Sequence, residues 1–545
     1  MQKIIILLAL LIATGSTAEI IPPEDTPVEV RLFVGPTFWT GDPDMPTAEA
    51  IAVDHDGRII ESYAVRPKGL PWPVTELPGE LAIPGLHDAH LHVMGIGRLK
   101  EQVRLEGCTS AADAREKVWI WAAENPNTQI IRGRGWDQSR WPGQEFPSWA
   151  DLEGVDERPI YLRRVDGHAA WLNRAMLELA GITADTPDPE GGRILRDIGG
   201  APTGLLIDNA INLLDGVLPD PTNRERERWL LSGLNFCADA GLVAVHDMGQ
   251  SPATCDVAEN LATEGRLPIR LFIYLEGTRD DSMGAMALYK PQDRFEVMGM
   301  KYYTDGALGS RGAALLAEYS DEPGHGGLAV VESTELERKV NMVHRRGYQC
   351  AIHAIGDRGN RMALTAISKA QAGELGRRHR VEHAQVVHPD DFARFVTEGA
   401  IASMQPTHCT SDLRWAEQRL GSERVLGAYA WRTFSDLGVP MAFGSDAPVE
   451  HWDPLAGIYA AITRQQKDGE PAGGWYPEQR LNWKEAVAGF TTGAAYAVHH
   501  EDDLGRLMMG CMFDVTILDR DPRGDPRDWL EAKVTALIVG GDRVR

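Results

Sequence analysis

The chain has 545 residues, 43% hydrophobic and 25% charged, an ordinary globular composition with room for a large barrel and accessory structure. Its formal net charge of −24 argues against a nucleic-acid partner, because neutralising phosphates needs clustered Lys and Arg. Six scattered cysteines (Cys108, Cys237, Cys255, Cys350, Cys409 and Cys511) resemble neither a disulfide framework nor a zinc-finger cluster and read as buried free thiols.

The first predicted element is a leader. Lys3 precedes an apolar run from Ile4 to Ala13, and Ser16-Thr17-Ala18 then precede Glu19, an A-x-A-like cleavage site. This run is too short to span a bilayer. Residues 1–18 therefore read as a signal peptide, which makes the mature protein secreted or periplasmic, with no membrane association after cleavage. From Val28 to about Glu80 the text is strand-like, and Asp-Gly in AIAVDHDGRII marks a turn. The far end reads the same way at 512–519 and 533–541. Neither end offers enough strands alone, so 19–80 and 505–545 are expected to pair into one small β-sandwich.

Between them, over 81–504, short apolar runs alternate with helix-like stretches, the pattern of a parallel α/β sheet. Eight strands are predicted at 81–92, 241–247, 269–275, 300–306, 348–356, 379–385, 400–408 and 439–448. The fold class is therefore α/β, a (β/α)8 TIM barrel whose active site belongs at the C-terminal ends of the strands. The gap between the first two strands far exceeds an ordinary connection, so a large insertion is expected at about 100–235.

The strand ends carry the chemistry. Side chains alternate along a strand, so Asp88, His90 and His92 share one face, and two imidazoles side by side suit a divalent metal. Alone, H-x-H is a weak signal. Lys301, His353, His383 and Asp446 arrive at later strand ends and strengthen it. His246 and His408 close the second and seventh strands and are pocket or supporting candidates.

PGLHDAHLH, MKYYTDGALGS, HAIGDRGNR, RVEHAQ and FGSDAP resemble the amidohydrolase superfamily. GRGWDQ, DGHAAWLN and PTGLLIDNA narrow the resemblance to its amidohydrolase 3 branch, which includes N-substituted formamide deformylases. The resemblance implies an exported metal-dependent enzyme that hydrolyses a C–N bond (amide, N-acyl or N-formyl) of a small-molecule substrate with a metal-bridging hydroxide. It implies one metal on His90, His92 and Asp446, a second on His353 and His383, and a carboxylated Lys301 bridging both. The other reading of Lys301 is an unmodified ammonium paired to an acid in a one-metal site. Zinc is the default for such ligands, with manganese, iron or cobalt as alternatives. Asp446 is the implied catalytic group, taking a proton from the hydroxide and passing it to the leaving nitrogen. Substrate contacts are assigned to His168, Trp136, Asp137 and Tyr303. His168 could equally be a packed loop histidine, and Trp136 and Asp137 could simply pack the insertion. An esterase or lactonase on the same barrel is the alternative activity, and a metal-free binding protein a remote one. The sequence does not fix an oligomeric state; a homodimer is the commonest assembly for such enzymes.

Overall fold

The computed structural model describes residues 29–279 and 281–545. The leader expected at 1–18 lies outside the described residues. Among these, no helix is long and apolar enough to cross a membrane, and all six cysteines are free and buried.

Eight strands form a parallel sheet in sequence order: β1 (Leu86–Leu91), β2 (Leu242–Gln250), β3 (Arg270–Glu276), β4 (Phe295–Tyr303), β5 (Gln349–Ala354), β6 (Arg380–His383), β7 (Ile401–Met404) and β8 (Met441–Phe443). Their apolar residues are buried on both faces, as a sheet ringed by helices requires. The sheet closes into a TIM barrel just past its C-terminal rim. There, His92 N donates to Ala447 O at 2.8 Å and Asp446 N donates to His90 O at 2.6 Å. The closing bonds therefore run through the same residues that carry the metal-ligand candidates.

The run predicted as one strand at 81–92 is two. Leu81–Pro84 pairs antiparallel with Val515–Leu518, and only Leu86–Leu91 enters the barrel. The break falls at Gly85, where a Cβ would stand 2.4 Å from Val243 Cγ2, so only glycine lets the chain cross that close to β2. Through this hinge the two chain ends meet in one eight-stranded mixed sheet. Phe33, Ile51, Val53, Val515, Ile517 and Ile538, drawn from both ends, share its hydrophobic core.

After β1 the chain leaves the barrel to build a six-stranded sheet, in the order Gly192–Arg196, Pro202–Asp208, Ala169–Leu172, Ile160–Arg164, Ile131–Trp136, Val103–Arg104. It has cores of its own, one around Trp136, Trp141 and Trp171. The insertion ends earlier than the expected 235. Helix Asn223–Asp239, opened by a Thr222/Glu225 capping box, buries Trp229, Leu230, Leu234 and Cys237 and leads back into β2. The short helix Val93–Gly97 packs on it so closely that a Cβ on Gly97 would overlap Trp229 O at 1.8 Å.

Candidate active site

The strand ends deliver a compact donor set. Ligand atoms of His90, His383 and Asp446 all lie within 4.8 Å of one another. His92 Nε2 is 3.1 Å from Asp446 Oδ1, and Lys301 Nζ is 3.5 Å from His90 Nε2. His353 stands further out, its ring centroid 4.6 Å from that of His383 and its Nε2 3.6 Å from Asp305 Oδ1. Asp446 and His383 hold left-handed backbones (φ 58° and 71°), which cost about 1–3 kcal/mol each and persist only where surrounding structure imposes them.

Three of the four imidazoles are fixed from behind; His353 Nε2 is buried without a hydrogen-bond partner. His90 Nδ1 binds Glu382 Oε2 at 2.6 Å, His92 Nδ1 binds Met248 O at 2.9 Å, and His383 Nδ1 binds Gln405 Oε1 at 2.7 Å. That leaves the three Nε2 atoms for a common ligand, the usual way a protein orients metal-binding histidines. Burial pushes His90 down to about 4 and holds His353 and His383 well below the usual imidazole range. These rings are thus neutral near pH 7, as coordination requires. Burial also pushes Lys301 down to about 8, and among the described residues no carboxylate lies within salt-bridge reach of it. Burial alone would raise Asp446, but hydrogen bonds from His408 and His92 and the imidazoles of His90 and His383 hold it well below the carboxylate range. The residues present fit divalent metal.

Behind the donors lies a network that the sequence reading missed. Arg380, fully buried, binds Glu382 at 2.8 Å, Ser403 Oγ at 2.8 Å, Tyr274 Oη at 3.1 Å and His246 Nδ1 at 3.0 Å. It fixes the carboxylate that in turn fixes His90, and His246 supports it from the barrel interior. Asp88 turns away from the donors: it accepts from His90 N at 3.0 Å and from Ser445 Oγ at 2.5 Å, tying β1 to the loop that carries Asp446. His408 lies between Asp446 Oδ2 at 3.4 Å and Glu450 Oε1 at 3.7 Å.

The donors line one side of a cavity of about 860 Å³ roofed by the insertion. His168 reaches it, its Nδ1 held by Asp208 Oδ1 at 2.7 Å and its ring 5.2 Å from that of His353. Asp208 was not singled out from the sequence, although PTGLLIDNA contains it; its backbone is also left-handed, at φ 47°. Tyr303 lines the cavity with its hydroxyl donating to Glu276 at 3.0 Å. Asp137 lines it too, its carboxylate accepting from Arg164 and from Ser139 Oγ at 2.7 Å. The substrate contact assigned to Trp136 is corrected: its indole is wholly buried in the insertion core and donates to Leu162 O at 2.9 Å.

Comparison with known proteins gives the same reading from outside. The profile of the Amidohydrolase family matches residues 74–545. The chain is 32% identical to YtcJ of Bacillus subtilis (strain 168) over 476 residues, covering 86% of this chain and 89% of that one. It is 25% identical to an N-substituted formamide deformylase of Arthrobacter pascens over 514 residues, covering 90% and 93%. Among solved structures, an uncharacterized metal-dependent hydrolase from Pyrococcus horikoshii OT3 matches with TM-score 0.73 and 26% identity, over 92% of this chain and 99% of that one. With eight parallel strands delivering histidine and aspartate donors to one rim, and a family profile that spans the barrel from end to end, the chain belongs to the amidohydrolase family of metal-dependent hydrolases.

Proposed function

We propose that this enzyme hydrolyses a carbon–nitrogen bond in a small amide, N-acyl or N-formyl compound. It uses two divalent ions, zinc by default, and a carboxylated Lys301 between them. The protein is exported, losing a leader near Ala18. The observation that carries the reading is the convergence of His90, His383 and Asp446 within 4.8 Å beside a buried Lys301 with no acid partner. His90, His92 and Asp446 would hold one ion and His353 and His383 the other. When bound, such a metal pair supplies an activated water and polarises the scissile carbonyl.

The chain's own residues do the rest. Asp446 takes the water's proton at a carboxylate oxygen and delivers it to the leaving nitrogen. His408, 3.4 Å away, steadies that carboxylate. His168, its Nδ1 fixed by Asp208, offers its other nitrogen toward the carbonyl oxygen as charge grows there. The roof formed by the insertion limits water around the reacting bond. The N-substituted formamide deformylase relative supports the choice of a C–N bond.

The test is turnover of an N-acyl substrate and its matched ester by chelator-treated and metal-reloaded protein. Chelation is expected to abolish amide turnover and divalent metal to restore it. Undiminished turnover in metal-free protein overturns the metal reading, and turnover of the ester alone overturns the C–N assignment.

A further inference from the structure

One wall of the cavity has a charge pattern that the chemistry above does not use. Strands Ile131–Trp136 and Ile160–Arg164 run parallel, with Arg134 opposite Arg163 and Arg132 opposite Tyr161. By alternation Arg132 and Arg134 share a face with Tyr161 and Arg163, so three guanidinium groups crowd one side of the sheet. Arg98 joins them from the end of helix Val93–Gly97, six residues and so about 9 Å along a helix from His92. Like charges set directly opposite are destabilising in a sheet.

None of the four has a carboxylate within salt-bridge distance among the described residues, in a chain with 79 acidic against 55 basic side chains. Arg134 Nη2 donates to Val165 O at 2.8 Å and Arg163 Nη2 to Gly167 O at 2.6 Å, while the Nε atoms of Arg98, Arg134 and Arg163 are buried without a partner. Burial and the neighbouring arginines push Arg98 and Arg134 down to about 10, so their charged forms are disfavoured where they stand.

The acids lining the same cavity are already engaged. Asp137 and Asp166 bind Arg164, Asp208 binds His168, Glu276 binds Tyr303, and Asp412 accepts from Tyr429. Arg98, Arg134 and Arg163 open into the catalytic cavity, and the same three line a small recess behind it with Arg132 and Tyr161.

We propose that Arg98, Arg134 and Arg163, backed by Arg132, seat an anionic group of the substrate, so that the amide cleaved at the metal centre carries a carboxylate at its far end. Planar guanidinium forks match carboxylate geometry, and an anion there would relieve the crowding of like charge. This rests on the amide-hydrolase reading for the word amide, but not for the anion.

Two measurements keep those apart. The first is the thermal transition of wild-type protein with glutarate, with inorganic phosphate as the rival anion and acetamide as the neutral control. A saturable rise in Tm with glutarate that Arg134→Gln or Arg163→Gln removes supports the proposal. A stronger response to phosphate reassigns the seat to a phosphate-bearing substrate and overturns the carboxylate, and no response to either anion in the wild type overturns the seat itself. The wild-type arm decides even where a variant fails to fold.

The second is hydrolysis of succinanilic acid against butyranilide, which differ only in the terminal carboxylate. The acid is expected to be preferred by about ten- to hundredfold in kcat/KM, through KM, with the preference collapsing in Arg163→Gln. Equal rates overturn the proposal while leaving the amide reading intact. Hydrolysis of neither anilide counts against the amide reading alone, and the Tm series then decides the anion seat.

Discussion

The barrel rim and the insertion face each other across one cavity and are built on different logic. At the rim four of the donors are held by a second group: His90 by Glu382, His92 by Met248 O, His383 by Gln405, and the loop of Asp446 by Asp88 through Ser445. In the insertion, the groups facing the cavity sit on a sheet with a separate tryptophan-rich core. The candidate metal donors are thus held by the barrel, while His168 and the shape and charge met by a substrate come from a separately packed layer.

Four measurements break or sharpen that contrast. Asp446→Asn keeps the shape but removes the base, and kcat is expected to fall by about 10²–10⁴-fold in metal-reloaded protein. A smaller loss would move the proton transfer to another group. Trp136→Ala should cost about 3–5 kcal/mol in denaturant unfolding, because a fully buried indole leaves a cavity behind. Bound metal per chain is expected to stay unchanged under native conditions; a parallel loss would mean that roof and rim are one unit. Glu382→Gln keeps the volume but weakens the hold on His90. It is expected to lower metal affinity about 10–100-fold in competition with a chromogenic chelator, and to lower the Tm of metal-free protein as well, because the buried Arg380 loses its carboxylate partner.

The smallest effect concerns the opposite end of the barrel. His379 Nδ1 accepts from Cys350 N at 2.9 Å, so its Nε2–H donates to His344 Nδ1 at 3.0 Å, and burial pushes it down to about 3. Its folded value lies below that of a free imidazole, about 6.5. The stability it contributes is therefore complete above that pH and is lost as pH falls toward 3, by about 1.4 kcal/mol at about pH 5.5. His379→Gln should flatten that part of the unfolding-versus-pH curve. An unchanged slope would remove His379 from acid sensitivity.

What was legible in the sequence follows the same division. The barrel and its ligands could be read because the strand period puts chemistry-bearing residues at successive strand ends: Asp88-x-His90-x-His92, then Lys301, His353, His383 and Asp446. Glu382 was passed over because strict alternation turns it away from His383. The left-handed backbone at His383 breaks that alternation and lets both neighbours point inward. A carboxylate beside a ligand histidine was the signal available. Trp136 takes the packing reading of the two its sequence allowed, since a motif next to Asp137 says nothing about which face of the insertion is its core. Arg132, Arg134 and Arg163 were in plain view in IRGRGW and YLRR, but their being unpaired depends on where the 79 acidic groups lie, which only the folded chain reveals.

The hinge at Gly85 has a consequence in time as well as space. Strand β1, which carries His90 and leads into His92, is rooted by residues near the other end of the chain: Gly85 N donates to Asp514 O at 2.8 Å, and Leu86 N to Thr516 Oγ1 at 3.2 Å across 430 positions. At about 5–20 residues per second, a ribosome needs on the order of 20–90 s to make that intervening stretch. Until then the strand lacks these two bonds at its root, although its ladder to β2 is already available. A chain cut short before residue 514 therefore has every histidine of the candidate site but lacks the two bonds that root their first strand.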